Sequence, residues 1–282
     1  MGEPEIQALE EGRAFVDLSS WWKVLVSGTD APAWLEDLVT NRVADLRPGL
    51  TRRALLLDRT GHVRADFGVA RMDDGFLLVQ DPVQPSRVEE LLDRYVLSSD
   101  VRLEDRTAEL GILAQTAGGW TFEPPWWQPS VLGVGFDWIL ERTELELHRA
   151  RMGTLTEASL QDLEVWRIRR GVPRFGIDFG AESLPQEAGL DEFVDATKGC
   201  FVGQEAVAKV RNLGHPPRVV RAYRSPGPVQ PGEPVFSGEE QVGHVTSVAL
   251  AGEGSFALLA RIRWEHREAA LTATTGKPLV AA

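Results

Sequence analysis

The order of strand and helix signals between residues 24 and 104 restricts the fold more than any other feature of the sequence. Short apolar or alternating runs, each followed by turn-forming residues, predict strands at 24–26, 54–57, 63–69, 76–79 and 101–104. Asp30 is a candidate N-cap for a helix over 31–39. Ser86 and Glu89 form a candidate capping box for a second helix. This order of elements predicts a ferredoxin-like split β-α-β layer.

A further helix is predicted in the second half of the chain. Thr154 and Glu157 match a capping box that would open it, and Gly171 with Pro173 would end it. The residues predicted to face inward are Leu160, Leu163 and Trp166. Their spacing is that of a helix with one buried face.

The sequence changes character at His215-Pro216-Pro217, a rigid break that marks a domain boundary. Beyond it, short strands recur about every 8 to 12 residues, which predicts a small β-barrel. The predicted fold class is therefore α+β, with two ferredoxin-like domains and a C-terminal barrel. The predicted domains are 13–106, 107–214 and 215–282.

Residues 198–205 read Lys-Gly-Cys-Phe-Val-Gly-Gln-Glu and contain the only cysteine of the chain. A run of helix-forming residues follows and closes at Asn212 to Gly214, so Cys200 is expected at or just before a helix N-terminus. The free N–H groups of such a terminus favour an anion, and Lys198 adds a positive charge. We therefore expect thiolate to be stabilised relative to thiol. A lone cysteine is often a small buried apolar residue, so a structural role stays open.

Composition narrows the class and the compartment. Hydrophobic residues at 43% and charged residues at 26% are typical of a globular protein. One cysteine cannot form an internal disulfide, which suits a reducing compartment. No apolar run reaches the roughly 18 residues that a membrane span needs, and the acidic start at Met1 to Glu5 is unlike a signal peptide. We expect a cytoplasmic protein that has no membrane partner.

The charge balance argues against general nucleic-acid binding. Thirty basic residues against 42 acidic ones give a formal charge of −12, whereas phosphate contacts draw their affinity from lysine and arginine. Four arginines lie close together, at Arg167, Arg169, Arg170 and Arg174. They would either bind an anionic tail or complement the C-terminal end of a helix, and both interpretations stay open.

Two further groups of residues are candidate ligand sites by their chemistry. The tryptophans Trp120, Trp126 and Trp127 crowd one loop region and would either stack on a planar ligand or pack as core. The five histidines are scattered, and no Cys/His ligand set occurs, so no metal site is predicted.

The octet at 198–205 resembles the signature KGC(F/Y)xGQE of the YgfZ family, the folate-binding relatives of the glycine-cleavage aminomethyltransferase, or T-protein. Other stretches resemble the same family in the same order along the chain. They lie at residues 26–31, 38–41, 46–49, 57–61, 167–178, 184–190 and 242–247. The resemblance covers roughly residues 13 to 270.

The resemblance implies a T-protein-like ring of three domains with tetrahydrofolate in a central channel. It also implies a role in assembling or repairing iron–sulfur enzymes, including tRNA-modifying ones such as the tRNA methylthiotransferase. In that role Cys200 and Lys198 act as the reactive pair. Matching positions suggest cofactor contacts at Trp21, Gly199, Gly203, Gln204 and Glu205. The implied partners are iron–sulfur enzymes or assembly proteins and a small-molecule folate.

Three positions depart from the family pattern. The aspartate that activates the folate nitrogen in the T-protein enzyme follows a strand, and its position here falls at about Arg87. An arginine cannot act as that base, so we predict that glycine cleavage is absent. The glutamate that reads the pterin ring is replaced by Arg169, and a tryptophan of the YgfZ branch is replaced by Leu163. Both changes weaken the case for tetrahydrofolate.

Three hypotheses follow. In the first, the protein supports iron–sulfur enzymes through Cys200 without conventional turnover. In the second, it is a tetrahydrofolate-dependent one-carbon transferase, aminomethyl or methyl, that uses another base. In the third, it is an interaction module whose pocket has lapsed. Arg87 and Arg169 argue against the second hypothesis. The intact octet at 198–205 argues against the third.

Overall fold

A computed structural model describes most of the chain, and its residues form two compact units. The described residues are 3–116, 127–129, 132, 135–252, 254–274 and 276–282. The first unit comprises Met1–Asp58, Arg64–Leu163 and Phe193–Val202. The second comprises Arg59–Val63, Glu164–Glu192 and Gly203–Ala282.

The described part of the chain contains both α-helices and β-strands. The α-helices are α1 (Glu3–Glu10), α2 (Ala31–Leu38), α3 (Val88–Asp93), α4 (Leu145–Arg151), α5 (Leu160–Arg169) and α6 (Gln204–Leu213). The first ten strands are β1 (Ala14–Asp17), β2 (Trp22–Ser27), β3 (Thr51–Leu57), β4 (Val63–Arg71), β5 (Phe76–Gln80), β6 (Arg102–Asp105), β7 (Leu110–Gln115), β8 (Trp127–Pro129), β9 (Phe136–Glu141) and β10 (Thr156–Ala158). The remaining strands are β11 (Arg218–Ser225), β12 (Pro234–Ser237), β13 (Glu240–Gly252), β14 (Ser255–Arg263), β15 (Leu271–Ala273) and β16 (Pro278–Ala281).

One sheet of the first unit has the predicted ferredoxin-like layer. Its strand order is β3-β4-β5-β2-β6. Strand β5 is antiparallel to both β2 and β4, so it separates two strands that run the same way, as a split β-α-β unit requires. Helices α2 and α3 contribute Leu35 and Leu92 to the buried cluster on this sheet. The five strands and two helices predicted for residues 24–104 are therefore confirmed.

The capping box predicted from Ser86 and Glu89 is wrong. Helix α3 begins at Val88 and its N-cap is Arg87, which makes no side-chain capping bond. The side chain of Gln80, at the end of β5, supplies the cap instead: its Oε1 accepts the Val88 N–H at 2.7 Å, while its Nε2 donates to the Ser86 carbonyl at 2.9 Å. Because Gln80 is fully buried, this cap joins the helix to the sheet.

The N-terminal strand β1 belongs to a second sheet, of order β10-β1-β7-β9-β8. It pairs in parallel with β10 and antiparallel with β7. The predicted first domain, 13–106, included this strand, whereas its strand partners lie beyond residue 106. Phe15 and Leu113 pack with Trp138 in the core of this sheet. The chain therefore enters the second sheet before it builds the first.

The helix start predicted at Thr154 is also wrong. Thr156–Ala158 forms β10, and α5 begins only at Leu160. The capping box consists of Ser159 and Asp162, in which the Asp162 carboxylate accepts the Ser159 N–H at 3.0 Å and the Ser159 hydroxyl accepts the Asp162 N–H at 3.1 Å. The shift of start leaves Leu160 49% exposed, against the predicted inward orientation. Leu163 and Trp166 are buried as predicted.

The second unit contains the predicted C-terminal barrel. Six strands close in the order β11-β14-β13-β12-β15-β16. Its core includes Val235, Leu258 and Ile262, all fully buried. Gly243 permits two strands to approach closely, since a Cβ there would lie 2.2 Å from the Arg261 carbonyl oxygen.

A buried ion pair joins the end of α5 to the barrel. Arg167 donates to the Asp178 carboxylate at 2.7 Å and to the Ser247 hydroxyl at 2.9 Å. The Ser247 and Thr246 hydroxyls donate to the other oxygen of Asp178 at 2.6 and 2.5 Å. Arg167 therefore has an internal structural role that neither interpretation of the arginine cluster predicted.

Candidate functional site

The octet at 198–205 lies at the junction of a loop and helix α6. Gln204 is the first residue of the helix and Gly203 is its N-cap, held in the left-handed region at φ +84°. Cys200 precedes that cap by three residues and is exposed. Helix α6 ends at Leu213 with Gly214 in a left-handed C-cap, as predicted. The expected position of Cys200 just ahead of a helix is thus confirmed, and its exposure removes the alternative of a buried structural cysteine.

Gly199, beside the thiol, has no role in the packing of the described residues. Its backbone is not in the left-handed region, and a Cβ built on it meets no atom within 4 Å. Glycine is usually required where φ is positive or where another chain segment approaches. Neither condition applies at Gly199, so open space borders Cys200 on its N-terminal side.

Lys198 binds backbone carbonyls through its ammonium group. Its side chain is fully buried, and Nζ donates hydrogen bonds to the carbonyl oxygens of Glu36, Val39 and Asn41. These bonds use all three ammonium donors, so none is left for the Cys200 thiolate. Burial lowers the pKa of Lys198, and the Glu36 carboxylate, 3.6 Å from Nζ, opposes that shift. A role for Lys198 in activating the thiol stays a prediction.

Trp21, a predicted folate contact, lies in the turn between β1 and β2 and is half-buried. Its backbone N–H donates to the Leu18 carbonyl at 2.9 Å, and its carbonyl accepts a 2.6 Å hydrogen bond from Nζ of Lys23. The same ammonium group donates to the Ser19 carbonyl at 3.0 Å. Lys23 therefore holds the Trp21 turn in place.

Sequence reasoning missed Lys23 because the residue directly precedes the apolar run at 24–26. Its side chain is fully buried. Burial, assisted by repulsion from Arg142, lowers the pKa of Lys23 to about 8, against the opposing attraction of Asp17 and Asp105. Side chains of a strand point alternately to the two faces of the sheet, so the sequence assigns residue 23 to one face. It does not show whether other residues bury a lysine on that face.

Arg87, which the resemblance places at about the position of the catalytic aspartate, makes three structural contacts through its guanidinium group. It donates to the Asp105 carboxylate at 2.5 Å, lies 3.3 Å from Glu89, and places its guanidinium 5.5 Å from the ring centroid of Trp22. The hydrogen bond to Asp105 raises the pKa of Arg87 further. A permanently charged donor cannot remove a proton from a folate nitrogen.

The residues that would read a pterin ring do not fit it. Arg169, in place of the family glutamate, is half-buried and donates from Nε to the Leu250 carbonyl at 2.8 Å. A guanidinium offers no acceptor for the N–H donors of a pterin. Leu163 likewise offers no polar atom. The nearby Trp166 is buried and its indole N–H has no hydrogen-bond partner among the described residues.

The remaining predicted site residues lie on the second unit. Gly203 accepts hydrogen bonds at its carbonyl from the N–H groups of Ala206 and Val207. Gln204 is half-buried and Glu205 is exposed in the first turn of α6. The two alternatives for Trp120, Trp126 and Trp127, stacking on a ligand or packing as core, concern side chains outside the described part of the chain.

Among the described residues, no three His, Cys, Asp or Glu side chains are grouped so that they would hold a metal ion. The described helices also include none that is long and apolar enough to cross a membrane.

Comparison with known proteins agrees with this architecture. Residues 2–116 match the family model described as GCVT N-terminal domain. The aminomethyltransferase T of the glycine cleavage system from Bartonella henselae superposes with a TM-score of 0.82 over 98% of this chain and 87% of that one, at 16% identity. Residues 2–116 are thus similar to a GCVT N-terminal domain, and the chain has the T-protein fold, which confirms the predicted fold class.

Relatives in sequence fall into two groups. The tRNA-modifying protein YgfZ of Escherichia fergusonii is 26% identical over 70% of this chain and 67% of its own length. A probable aminomethyltransferase of Natronomonas pharaonis is 27% identical over 88% of this chain and 78% of its own length. The chain is therefore similar in sequence both to YgfZ and to aminomethyltransferases.

Proposed function

We propose that this protein supports the assembly or repair of iron–sulfur enzymes, including tRNA-modifying ones, through the thiol of Cys200. The observation that carries the proposal is the exposure of Cys200 beside Gly199, a glycine that the described packing does not need. An open approach to a thiol is what a partner protein requires to reach it. The similarity to a relative named for tRNA modification supports the same choice.

The chemistry assigned to Cys200 is that of a transient ligand. A thiolate donates an electron pair to iron after losing its proton to solvent, and a cluster is normally held by four such ligands. The described residues group no further candidate ligands, so the other ligands belong to the partner. The protein then acts on its clients in the cytoplasm, with no direct contact to nucleic acid.

The proposal excludes glycine-cleavage activity. The position of the catalytic aspartate is taken by Arg87, which is already paired with Asp105. No proton acceptor occupies that position, so a folate nitrogen would not be activated there.

A second candidate function is a tetrahydrofolate-dependent transferase of an aminomethyl or methyl group. The observation that favours it is the buried indole N–H of Trp166, which lacks a hydrogen-bond partner among the described residues. Arg169 weighs against it, because the pterin N–H groups find no acceptor there.

The test of the proposed function is complementation in cells that lack the gene. Cys200→Ser and Cys200→Ala should both reduce the methylthio-modified nucleosides of tRNA, measured by mass spectrometry, to the level of the deletion. Because the side chain is exposed, both variants should retain the wild-type unfolding midpoint. Ser86→Ala serves as the matched control. Wild-type levels of modification in either cysteine variant would remove the thiol from the function.

A further inference from the structure

The loop that carries Cys200 is interlocked with the connection between α2 and β3. The Thr40 hydroxyl donates to the Phe193 carbonyl at 2.8 Å, and the Asp195 N–H donates to the Thr40 carbonyl at 3.0 Å. Thr40 is itself fixed, since it is fully buried and exchanges two hydrogen bonds with Leu55 of β3. The guanidinium of Arg53 lies 4.7 Å from the ring centroid of Phe193. The loop at 193–195 and the connection around Thr40, some 155 residues apart in sequence, are thus joined by hydrogen bonds.

Asp195 organises the turn that leads to the thiol. One carboxylate oxygen accepts the Thr197 N–H at 2.7 Å, the Thr197 hydroxyl at 2.6 Å and the Lys198 N–H at 3.2 Å. The other oxygen accepts from Nε of Arg42 at 3.2 Å. The side-chain and backbone hydrogen bonds from Thr197 lower the pKa of Asp195 to about 2, so the carboxylate is ionised at neutral pH. The Asp195 carboxylate therefore holds this turn with one oxygen and binds Arg42 with the other.

Lys198 ties the same turn to the C-terminal end of α2. The carbonyls of the last turn of a helix lack intrahelical donors and favour a cation. The Lys198 ammonium fills that role for the carbonyls of Glu36 and Val39, at the end of a helix that stops at Leu38. The Glu36 carboxylate neutralises the buried charge, and its second oxygen accepts the Val43 N–H at 2.6 Å. Lys198 is therefore a buried, charge-compensated anchor.

We infer that Lys198 and Asp195 are positioning residues, which fix residues 195–200 on the end of α2 so that Cys200 is presented at one place. In this arrangement Lys198 acts through backbone carbonyls and does not serve as the cationic neighbour of the thiol. The inference rests on the proposed function only in assuming that Cys200 is used by a client. The hydrogen bonds of Lys198 and Asp195 that position the loop do not depend on a client protein or on folate.

The test compares Lys198→Met and Asp195→Ala in the full chain, with Lys209→Met on the exposed face of α6 as the matched control. Hydrogen exchange by mass spectrometry follows the peptide 193–202. Alkylation of Cys200, unambiguous because the chain has one cysteine, is measured as a rate against pH. Neither readout depends on an iron–sulfur client, so its failure is distinct from failure of the proposed function.

Both variants should exchange the amides of residues 195–198 at least about tenfold faster than wild type, since the opening of the loop becomes easier. The pH of half-maximal alkylation should move by less than about 0.3 unit in either variant, because the hydrogen bonds of the Lys198 ammonium and the Asp195 carboxylate go to groups other than the thiol. The control should match wild type in both readouts.

A direct electrostatic effect on the thiol predicts the opposite pattern. Loss of the Lys198 cation would then move the half-maximal pH upward and loss of the Asp195 anion would move it downward. Shifts in those opposite directions, or unchanged exchange in 193–202, would overturn the inference. Should Lys198→Met fail to fold, Asp195→Ala alone decides: faster exchange at a fixed half-maximal pH supports the anchor, and unchanged exchange rejects it.

Discussion

Arg87 donates a 2.5 Å hydrogen bond to the carboxylate of Asp105, across the gap between the start of α3 and the end of β6. Burial works against ionisation of this carboxylate, yet the hydrogen bonds from Arg87 and from Thr107 lower the pKa of Asp105 to about 2. The position that the resemblance assigns to the folate-activating aspartate of the T-protein enzyme thus holds one half of a structural ion pair. The positive charge of Arg87 is balanced by the carboxylate of Asp105, and the pair is part of the fold.

This pair predicts a contribution to acid stability. The pKa of Asp105 is lower in the folded chain than the usual 3.9 of the unfolded chain, so its stabilisation is present above about pH 4 and is lost as the pH falls towards 2. The free energy of unfolding should change less with pH across that window in Asp105→Asn than in wild type. The difference should be less than about 1 kcal/mol, because the carboxylate is 39% exposed. Urea unfolding from pH 2 to 6 measures it. Arg87→Gln should flatten the same window, and an unaltered acid slope in both variants would contradict the assignment.

The buried Lys23 predicts stability that rises with alkaline pH. Its pKa of about 8 in the folded chain is below the usual value of the unfolded chain, so the unfolded state binds more protons between pH 8 and 10. The free energy of unfolding should rise across that window by up to about 3 kcal/mol. Lys23→Met should remove the rise, whereas Lys209→Met, an exposed control, should keep it. A rise of equal size in both variants would mean that another group titrates.

The folate question is open to a direct titration. Arg169→Glu supplies an acceptor for pterin N–H donors, so it should bind a reduced folate roughly tenfold more tightly than wild type, about 1.4 kcal/mol, by calorimetry. Arg224→Glu, at an exposed position of β11, makes the same charge change and should leave the affinity unaltered. Tight binding by wild type, with no gain in Arg169→Glu, would show that Arg169 does not obstruct the ligand. It would also favour the one-carbon transferase.

Two glycines of the octet should respond differently to alanine. Gly203→Ala places a side chain at φ +84° and should cost about 1 kcal/mol or more of unfolding free energy. Gly199→Ala meets open space at an ordinary backbone conformation, so stability should be unchanged. If a partner approaches Cys200 over this glycine, Gly199→Ala should nonetheless lower tRNA methylthio modification in the complementation assay. Full modification together with wild-type stability would argue that the approach is from another side.

Helix boundaries show where local signals are ambiguous. Thr154 with Glu157 and Ser159 with Asp162 both place a hydroxyl residue three positions before an acidic one, and only the second pair caps α5. The first pair was excluded because residues 156–158 form a strand beside β1. Its partner, some 140 residues earlier, is invisible to a local pattern. Likewise, Gln80 caps α3 because the fold brings the end of β5 to the helix, which the capping pattern of Ser86 does not contain.

The sequence alone determined the ferredoxin-like layer, the barrel and the place of Cys200 ahead of α6, since apolar periodicity, turn residues and a left-handed closing glycine act over a few neighbouring residues. Tertiary structure alone decided that Lys198 faces the end of α2 and that Lys23 holds the Trp21 turn. A lysine next to a cysteine in sequence suggests one electrostatic unit. In the folded chain the ammonium group is drawn instead to buried carbonyls about 160 residues away, because those acceptors cannot be left without a donor.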